Sequence, residues 1–236
     1  MRARRFAPLV LVAALPVAHA ADFTSVGSLA QDEFHRLSQD LGAAMAYKGV
    51  TPATPLGVAG FDIGVVVTDT KLENSTLFSR AGAGSHSHLV IPKIHAYKGL
   101  FGGLDVGAFV AGATGVSATV FGADLRYAFL DDTLALPALA VRLSGTKATG
   151  LGELSLATAA LDIMASKKFT ALTPYVGAGM VRVQTKAGGT GLAEERFNQS
   201  RVFGGLNVNL IGVNLAFEAE KMGSNTSLSA KVGWRF

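Results

Sequence analysis

The sequence predicts an all-β fold: a transmembrane, antiparallel, up-and-down β-barrel of about ten strands (eight to twelve), preceded by one amphipathic α-helix. Three observations predict it. The 236 residues are 49% hydrophobic and only 16% charged, whereas an average soluble domain carries about 25% charge. Apolar residues alternate with polar or small ones along most of the chain, so each strand has one apolar face. Most of these segments reach the roughly 9–11 residues that a tilted strand needs to cross a bilayer.

The chain starts with a segment that is typical of export. Residues 1–20 combine a basic start, an apolar stretch and Ala18-His19-Ala20, a pattern that suits signal-peptide cleavage. The formal net charge is +4, and the arginines of this segment account for most of it. Because the exported chain is nearly neutral and has no basic stripe, no nucleic-acid partner is expected. The absence of cysteine excludes a disulfide-stapled scaffold.

The next segment, residues 21–57, is predicted to contain the amphipathic helix and a linker. Residues 28–47 place apolar side chains on one helical face. Ser28 is the predicted N-cap, and Gly49 with Pro52 is predicted to end the helix. Two placements are open at this point. The helix either lies against the periplasmic rim of the barrel or inserts into its lumen as a plug.

The strands are predicted to occupy residues 58–236. Their ranges are 58–71, 88–98, 102–113, 116–130, 134–146, 152–166, 171–185, 200–209, 211–221 and 226–236. Long connections are predicted at 72–87 and 186–199, and short ones follow the even-numbered strands. Short periplasmic turns and longer outer loops are typical of outer-membrane barrels.

Two other folds are compatible with parts of this pattern. The charge-free window 106–123 is long enough for a membrane-spanning helix, but its glycines and β-branched residues favour a hairpin centred on Thr114-Gly115. A soluble β-sandwich also has alternating strands. Its outer faces would carry very little charge here, whereas a closed barrel leaves no strand edge exposed to lipid.

Two groups of side chains follow from this strand phase. Aromatic residues at the predicted periplasmic ends are expected to form an interfacial girdle: Phe61, Tyr97, Phe129, Phe169, Trp234 and Phe236. Ten charged residues are predicted to line the lumen: Asp62, Asp124, Arg126, Arg142, Asp162, Arg182, Glu218, Glu220, Lys231 and Arg235. These charges form either a self-neutralising network in a narrow interior or the wall of a small water-filled pore.

No catalytic, metal or cofactor site is predicted. The one cluster with suitable residue types is Ser85-His86-Ser87-His88. A serine nucleophile needs an activating base, and a metal site needs more ligands than two histidines supply. Because no further ligand has suitable spacing, a solvated loop is the favoured interpretation, and the protein is not expected to be an enzyme.

The export signal, the alternating strands and the end of the chain resemble Gram-negative outer-membrane β-barrel proteins. In that class a terminal aromatic residue, with apolar residues at alternate positions before it, is the signal read by the barrel-assembly machinery. The resemblance assigns that signal to Ala230, Val232, Trp234 and Phe236. It implies location in the outer membrane, with membrane lipid and the assembly machinery as partners.

The resemblance does not settle the activity, because one fold supports several functions. We expect a small pore or transporter with a small-molecule substrate. The alternative is a structural or surface-interaction barrel without transport, and the third possibility is a lipid-modifying barrel enzyme.

Overall fold

A computed structural model describes residues 22–236, so the predicted signal peptide at residues 1–20 lies outside the described part of the chain. Within 22–236 there are two α-helices and ten strands, besides one short 3-10 turn. The helices are α1 (Gln31–Met45) and α2 (Ser75–Arg80). The strands are β1 (Phe61–Lys71), β2 (His88–Gly99), β3 (Leu104–Gly112), β4 (Thr119–Leu130), β5 (Ala138–Leu151), β6 (Leu154–Ser166), β7 (Leu172–Ala187), β8 (Glu195–Leu210), β9 (Val213–Met222) and β10 (Asn225–Arg235).

The strands form one closed antiparallel ladder. Each pairs with its neighbours in sequence, and β1 also pairs with β10, from Asp62 opposite Arg235 to Lys71 opposite Thr226. Closure matters because hydrocarbon offers no hydrogen-bond partner to an unpaired strand edge. The predicted fold class, an up-and-down barrel of about ten strands preceded by a helix, is confirmed.

The connections distinguish the two ends of the barrel. The end where β1 begins and β10 finishes has the connections 100–103, 131–137, 167–171 and 211–212. The opposite end has 72–87, which contains α2, together with 113–118, 152–153, 188–194 and 223–224. Since the longer loops of outer-membrane barrels face outward, we call this second end extracellular and the first periplasmic.

Two predicted connections have clear outcomes. The hairpin turn at Thr114-Gly115 is confirmed, and Gly115 has a φ of +85°, which glycine adopts without a steric penalty. The long connection predicted at 186–199 is wrong. Strands β7 and β8 continue their pairing as far as Thr185 opposite Glu195, which leaves a loop of 188–194.

The outer surface is apolar around the middle of the barrel. Leu143, Ile163 and Phe217 are each more than half exposed there, although side chains of this kind are usually buried in soluble proteins. Outward charges lie towards the extracellular end, for example Lys147 and Lys186. An apolar band of this kind is the lipid-facing surface of a membrane barrel.

The predicted aromatic girdle is present except at one position. Phe129, Phe169 and Trp234 are exposed near the periplasmic end, and the rings of Phe61 and Phe236 stack with centroids 6.2 Å apart. Tyr97 is the error: it is 1% exposed. It shares the inward parity of its strand, and its hydroxyl forms a hydrogen bond inside the lumen.

The amphipathic helix is shorter than predicted. It begins at Gln31, because Ser28 ends the preceding 3-10 turn and Ala30 occupies the N-cap. The Glu33 carboxylate accepts a hydrogen bond from the Ala30 N–H at 3.0 Å, which satisfies one of the free donors at the helix start. Neither helix in residues 22–236 is long and apolar enough to span a membrane.

Candidate functional site in the barrel lumen

The N-terminal segment crosses the lumen from one end to the other. At the extracellular end, the Glu153 N–H donates to the Phe23 carbonyl at 3.1 Å and the Ser25 N–H to the Ala81 carbonyl at 3.0 Å. At the periplasmic end, the Leu56 N–H donates to Asp105 at 3.1 Å. We call residues 22–56 the plug. Of the two placements that the sequence left open, the structure has the helix inside the barrel.

The outer half of the plug is held by apolar contacts. Phe34, Leu37 and Leu41 of α1 are fully buried, in one cluster with residues of the first loop. The rings of Phe23 and Phe78 lie 5.7 Å apart in the same cluster. Burial of each such side chain contributes about 1.5–3 kcal/mol. The sequence of α1 therefore folds against the extracellular rim through the apolar face that predicted the helix.

An ion pair joins the start of the helix to the first loop. The Arg80 guanidinium donates to the Glu33 carboxylate. This hydrogen bond, with that from the Ala30 N–H, lowers the pKa of Glu33 below its ordinary value. Both side chains are partly exposed, so the pair orients α2 over the plug rather than contributing much stability.

The helix approaches β7 closely at Gly42. A Cβ at this position would lie 2.7 Å from one Val183 methyl carbon, closer than non-bonded carbons allow. Val181 and Val183 face inward and pack with Ala43 and Ala46 of the plug. Small residues on α1 thus let the helix lie directly against the barrel wall.

The predicted lumen position of Arg182 is corrected by this packing. Arg182 is exposed on the outer face, between the inward Val181 and Val183. The apolar residues of β7 at this height face the plug rather than lipid. The prediction assigned apolar residues to the lipid face, so its inward and outward assignments are exchanged for this part of β7.

The inner half of the plug is held by charged wall residues that donate to plug carbonyls. Arg201 donates to Tyr47 at 2.7 Å and Arg235 to Thr54 at 3.3 Å. Lys93 and Arg126 donate in the same way to Lys48 and Pro52, respectively. Since this part of the plug has no helical or ladder partners for its carbonyls, the wall cations supply them.

The wall charges also neutralise one another. Asp62 accepts hydrogen bonds from Lys231 at 2.7 and 2.8 Å, and from Arg235 at 3.1 Å. Asp105 accepts from Arg126 at 2.6 Å. These carboxylates are fully shielded from solvent. Buried charges of this kind are tolerated only when paired and hydrogen-bonded.

A second group of wall contacts surrounds Tyr47. Its hydroxyl donates to Asp124 at 2.6 Å and forms a hydrogen bond with the Tyr97 hydroxyl at 2.8 Å.

The other wall carboxylates also have partners. Asp162 binds Arg142 at 3.0 Å, and Arg201 also donates to it. Glu218 accepts from Tyr175 at 2.9 Å, and Glu220 lies 3.3 Å from Lys48 of the plug.

The other predicted lumen residues lie on the inward face: Asp62, Asp124, Arg126, Arg142, Asp162, Glu218, Glu220, Lys231 and Arg235. Sequence reasoning missed five inward charged or histidine residues of the wall: Lys93, His95, Asp105, Glu195 and Arg201. Lys93 and His95 alternate with apolar residues and were detectable from period two. Arg201 shares its inward face with Phe203, which hides the polar pattern of that strand.

The plug fills the middle of the lumen. The cavity between it and the wall beside Lys48 and Lys93 measures about 10 Å³, room for a single water. Larger clefts beside the plug open towards the ends, with 140 Å³ beside Pro52 at the periplasmic end and 480 Å³ beside Gln39 at the extracellular end. Over residues 22–236, this conformation is therefore closed at mid-barrel.

The histidine cluster has separate partners. His86 Nε2 lies 2.9 Å from the Ala83 carbonyl oxygen, and His88 Nδ1 lies 3.0 Å from both Asp69 carboxylate oxygens. Across the described residues, neither ring forms a hydrogen bond with Ser85 or Ser87. No three His, Cys, Asp or Glu side chains in that part of the chain are grouped to hold a metal ion.

Comparisons with known proteins add structural likenesses. No protein-family model matches the chain, and neither does any curated protein sequence. A KdgM porin in complex with disordered oligogalacturonate has 9% identity over 75% of this chain and 99% of that chain, with a TM-score of 0.40. Neisserial surface protein A has 13% identity over 75% of this chain and 96% of its own chain, with a TM-score of 0.33. A loop-deletion mutant of OmpT, an outer membrane protein of Vibrio cholerae, has 13% identity over 64% of this chain and 55% of its own chain, with a TM-score of 0.32.

The geometry of the barrel itself determines its environment. The closed ladder leaves no strand edge to pair with water or lipid, and an apolar band surrounds the middle of the barrel, with outward charges above it. Only a closed barrel or a helix satisfies all backbone groups in hydrocarbon, and bilayer-spanning barrels of this kind belong to outer membranes. The protein is an outer-membrane β-barrel whose outer surface contacts membrane lipid.

Proposed function

We propose that the protein is a non-enzymatic outer-membrane pore for small polar solutes, closed by its own plug. One observation carries the proposal. The inward wall bears charges that pair with one another, such as Asp62 with Lys231 and Asp105 with Arg126. Each of these ion pairs joins two wall residues, so their charges stay neutralised without the plug, which suits the wall to water.

The attachment of the plug supports this role. Over residues 22–236, no plug residue belongs to the strand ladder, which closes between β1 and β10. Departure of the plug would therefore break no strand pairing. The inner contacts include hydrogen bonds from wall cations to plug carbonyls, and water can replace each of these at a net cost of about 1.5–3 kcal/mol.

A structural or surface-interaction barrel is the second candidate. The filled lumen and the apolar cluster around Phe34 and Leu41 favour it, because both stabilise the closed state. A lipid-modifying enzyme is the third. The separate partners of His86 and His88 do not support it, since neither histidine activates a neighbouring hydroxyl.

The same proposal covers export and assembly. Residues 1–20 act as a signal peptide, 21–57 supply the plug and its linker, and 58–236 form the barrel. The assembly machinery reads the outward face of β10 at Ala230, Val232, Trp234 and Phe236. Phe236 also exchanges two backbone hydrogen bonds with Phe61, at 2.7 and 3.0 Å, which extends the closing seam.

Deletion of the plug tests the pore directly. The variant lacking residues 22–56 should show steady conductance in planar bilayers, whereas the full-length protein should show only rare openings. Circular dichroism and heat-modifiable gel mobility would check that the variant is folded. A folded deletion variant without channel events would instead favour the structural barrel.

A reversible lock provides a sharper control. The chain contains no cysteine, so an introduced pair has no competing thiol. A Cβ at Gly42 would lie 3.4 Å from Val183 Cβ, close to the roughly 3.5–4.5 Å between the two Cβ atoms of a disulfide. Oxidised Gly42→Cys/Val183→Cys protein should lose the rare openings and regain them on reduction. Val183→Cys alone should not respond to oxidation. Openings that persist in the oxidised double variant would show that conduction does not require movement of the plug helix.

A further inference from the structure

A polar cleft opens between the plug and the wall at the extracellular end. Its volume of 480 Å³ lies within the range of about 300–1,000 Å³ that is typical of small-molecule sites. The plug contributes Arg36, Gln39 and Asp40, and the wall contributes residues 198–200 of β8 and the turn at 223–225. Three of its eleven lining residues thus belong to the element that closes the lumen.

The floor of this cleft is held rigidly around Asp40. This carboxylate is 1% exposed. It accepts hydrogen bonds from the Asn74 N–H at 2.7 Å and from Asn225 Nδ2 at 2.8 Å. Three chain segments, α1, the first loop and the β9–β10 turn, are therefore joined at one point. A rigid, preformed site loses little entropy when a ligand binds.

Gln199 points to a missing ligand. It lines the cleft and is 9% exposed, and its side-chain carbonyl oxygen has no hydrogen-bond partner within the described residues. Buried polar groups are normally hydrogen-bonded, so such an exception calls for an explanation. This oxygen is shielded from solvent in the present conformation, so a ligand hydroxyl would supply the donor once the amide rotates towards the cleft. Gly223 leaves room for this amide, because a Cβ there would collide with the Gln199 amide nitrogen.

The remaining lining residues indicate a neutral ligand rich in hydroxyl groups. Side-chain amides such as that of Gln39 offer both donors and an acceptor. The charged groups already have partners: Arg36 lies 3.1 Å from Asp32, and Glu73 lies 3.4 Å from Lys71. A charged ligand would meet no unpaired opposite charge, whereas sugar hydroxyls match amides that both donate and accept.

We propose that this extracellular cleft binds a neutral saccharide unit that bridges the plug helix and the barrel wall. Because the cleft exists only while α1 is in place, occupation must favour the plugged state over any state without the plug. This consequence rests on the proposed function; the binding itself does not.

The test uses the full-length protein in phosphocholine micelles, which lack sugar headgroups. Maltose, sucrose and N-acetylglucosamine are titrated as neutral probes, with galacturonate as the charged comparison. In NMR spectra, the side-chain amide signals of Gln199 and Asn225 should shift saturably with at least one neutral probe. Amide hydrogen exchange in α1 should slow. Linear, non-saturating shifts with every neutral probe, or tighter binding of galacturonate, would overturn the proposal.

Matched variants locate the site. Gln199→Leu should abolish the saturable shift of Asn225, and Gly223→Ala, which crowds the same amide, should weaken binding if Gln199→Leu does not fold. Gln184→Leu is the control, because Gln184 lies at the same end outside the cleft and donates to Glu194. Undiminished binding by either folded cleft variant contradicts the site. No conductance is measured, so failure here leaves the pore proposal untouched, and a pore that fails its deletion test leaves this site intact.

Discussion

Asp62 is a buried charged residue at the closing seam of the barrel. It binds Lys231 and Arg235, and His95 Nε2 lies 3.5 Å away, so one carboxylate faces three basic groups from both neighbouring strands. Asp62 and Lys231 are shielded from solvent. A buried pair of this kind adds little compared with an apolar pair, but removal of one partner leaves an uncompensated charge.

Asp62→Asn keeps the size of the side chain and removes its charge. We expect a loss of about 3–5 kcal/mol in the free energy of unfolding, because Lys231 and Arg235 stay buried without their counter-ion. Urea unfolding in lipid vesicles would measure it. Asp32→Asn is the control, since the exposed Asp32–Arg36 pair is screened by water. Similar losses for the two variants would mean that the seam is hydrated rather than buried.

At the scale of single residues, the sequence predicts whether a side chain faces the lumen or the lipid only where each face of the strand meets one environment along its whole length. Asp62 and Lys231 alternate with residues that face lipid, and period two identifies both. Arg182 fails because Val181 and Val183 are apolar for a different reason, contact with the plug. An alternating sequence shows which face of a strand is apolar, but it does not show whether that face contacts an apolar plug or lipid.

Among the elements, the strands were predictable and the position of the helix was not. All ten strands were expected, because lipid on one side and charges on the other produce a strong period-two pattern. The start of β8 was missed, at Glu195 rather than residue 200, since its outward residues there, Arg196 and Asn198, are polar above the membrane. The apolar face of α1 predicts a helix, but a rim and a lumen would bury that face equally well.

The depth of a strand residue determines the effect of a charge on the outer face. Leu161 lies near the middle of β6, points outward and is 57% exposed. Leu161→Arg should cost about 2–4 kcal/mol, as expected for arginine facing lipid at the midplane. Ser155→Arg, on the same face at the extracellular end of β6, should cost about 0–1 kcal/mol. Folding yields in vesicles of defined lipid would compare them, and equal yields would contradict the membrane band assigned here.

In the whole molecule, the route of the chain links the two ends of the barrel. Contacts fix Phe23 at the extracellular end and Leu56 at the periplasmic end, while β1 starts at the periplasmic end and pairs with β10. The seam therefore closes around a segment that is already inside or that threads in afterwards. This arrangement is not contained in any local pattern, because contacts such as Arg201 with Tyr47 join residues far apart in sequence.

The route predicts that the start of the mature chain is exposed at the cell surface. An epitope inserted before Asp22, after the expected cleavage site, should bind antibody on intact cells, because Asp22 is exposed beside the extracellular loops. The matched control is the same epitope in the periplasmic connection 131–137, which should bind antibody only after the outer membrane is permeabilised. Both tagged proteins should retain heat-modifiable gel mobility, which shows that the barrel is folded. If the epitope before Asp22 also requires permeabilisation, the plug enters the lumen from the periplasm, and the extracellular cleft beside Gln199 cannot form as described.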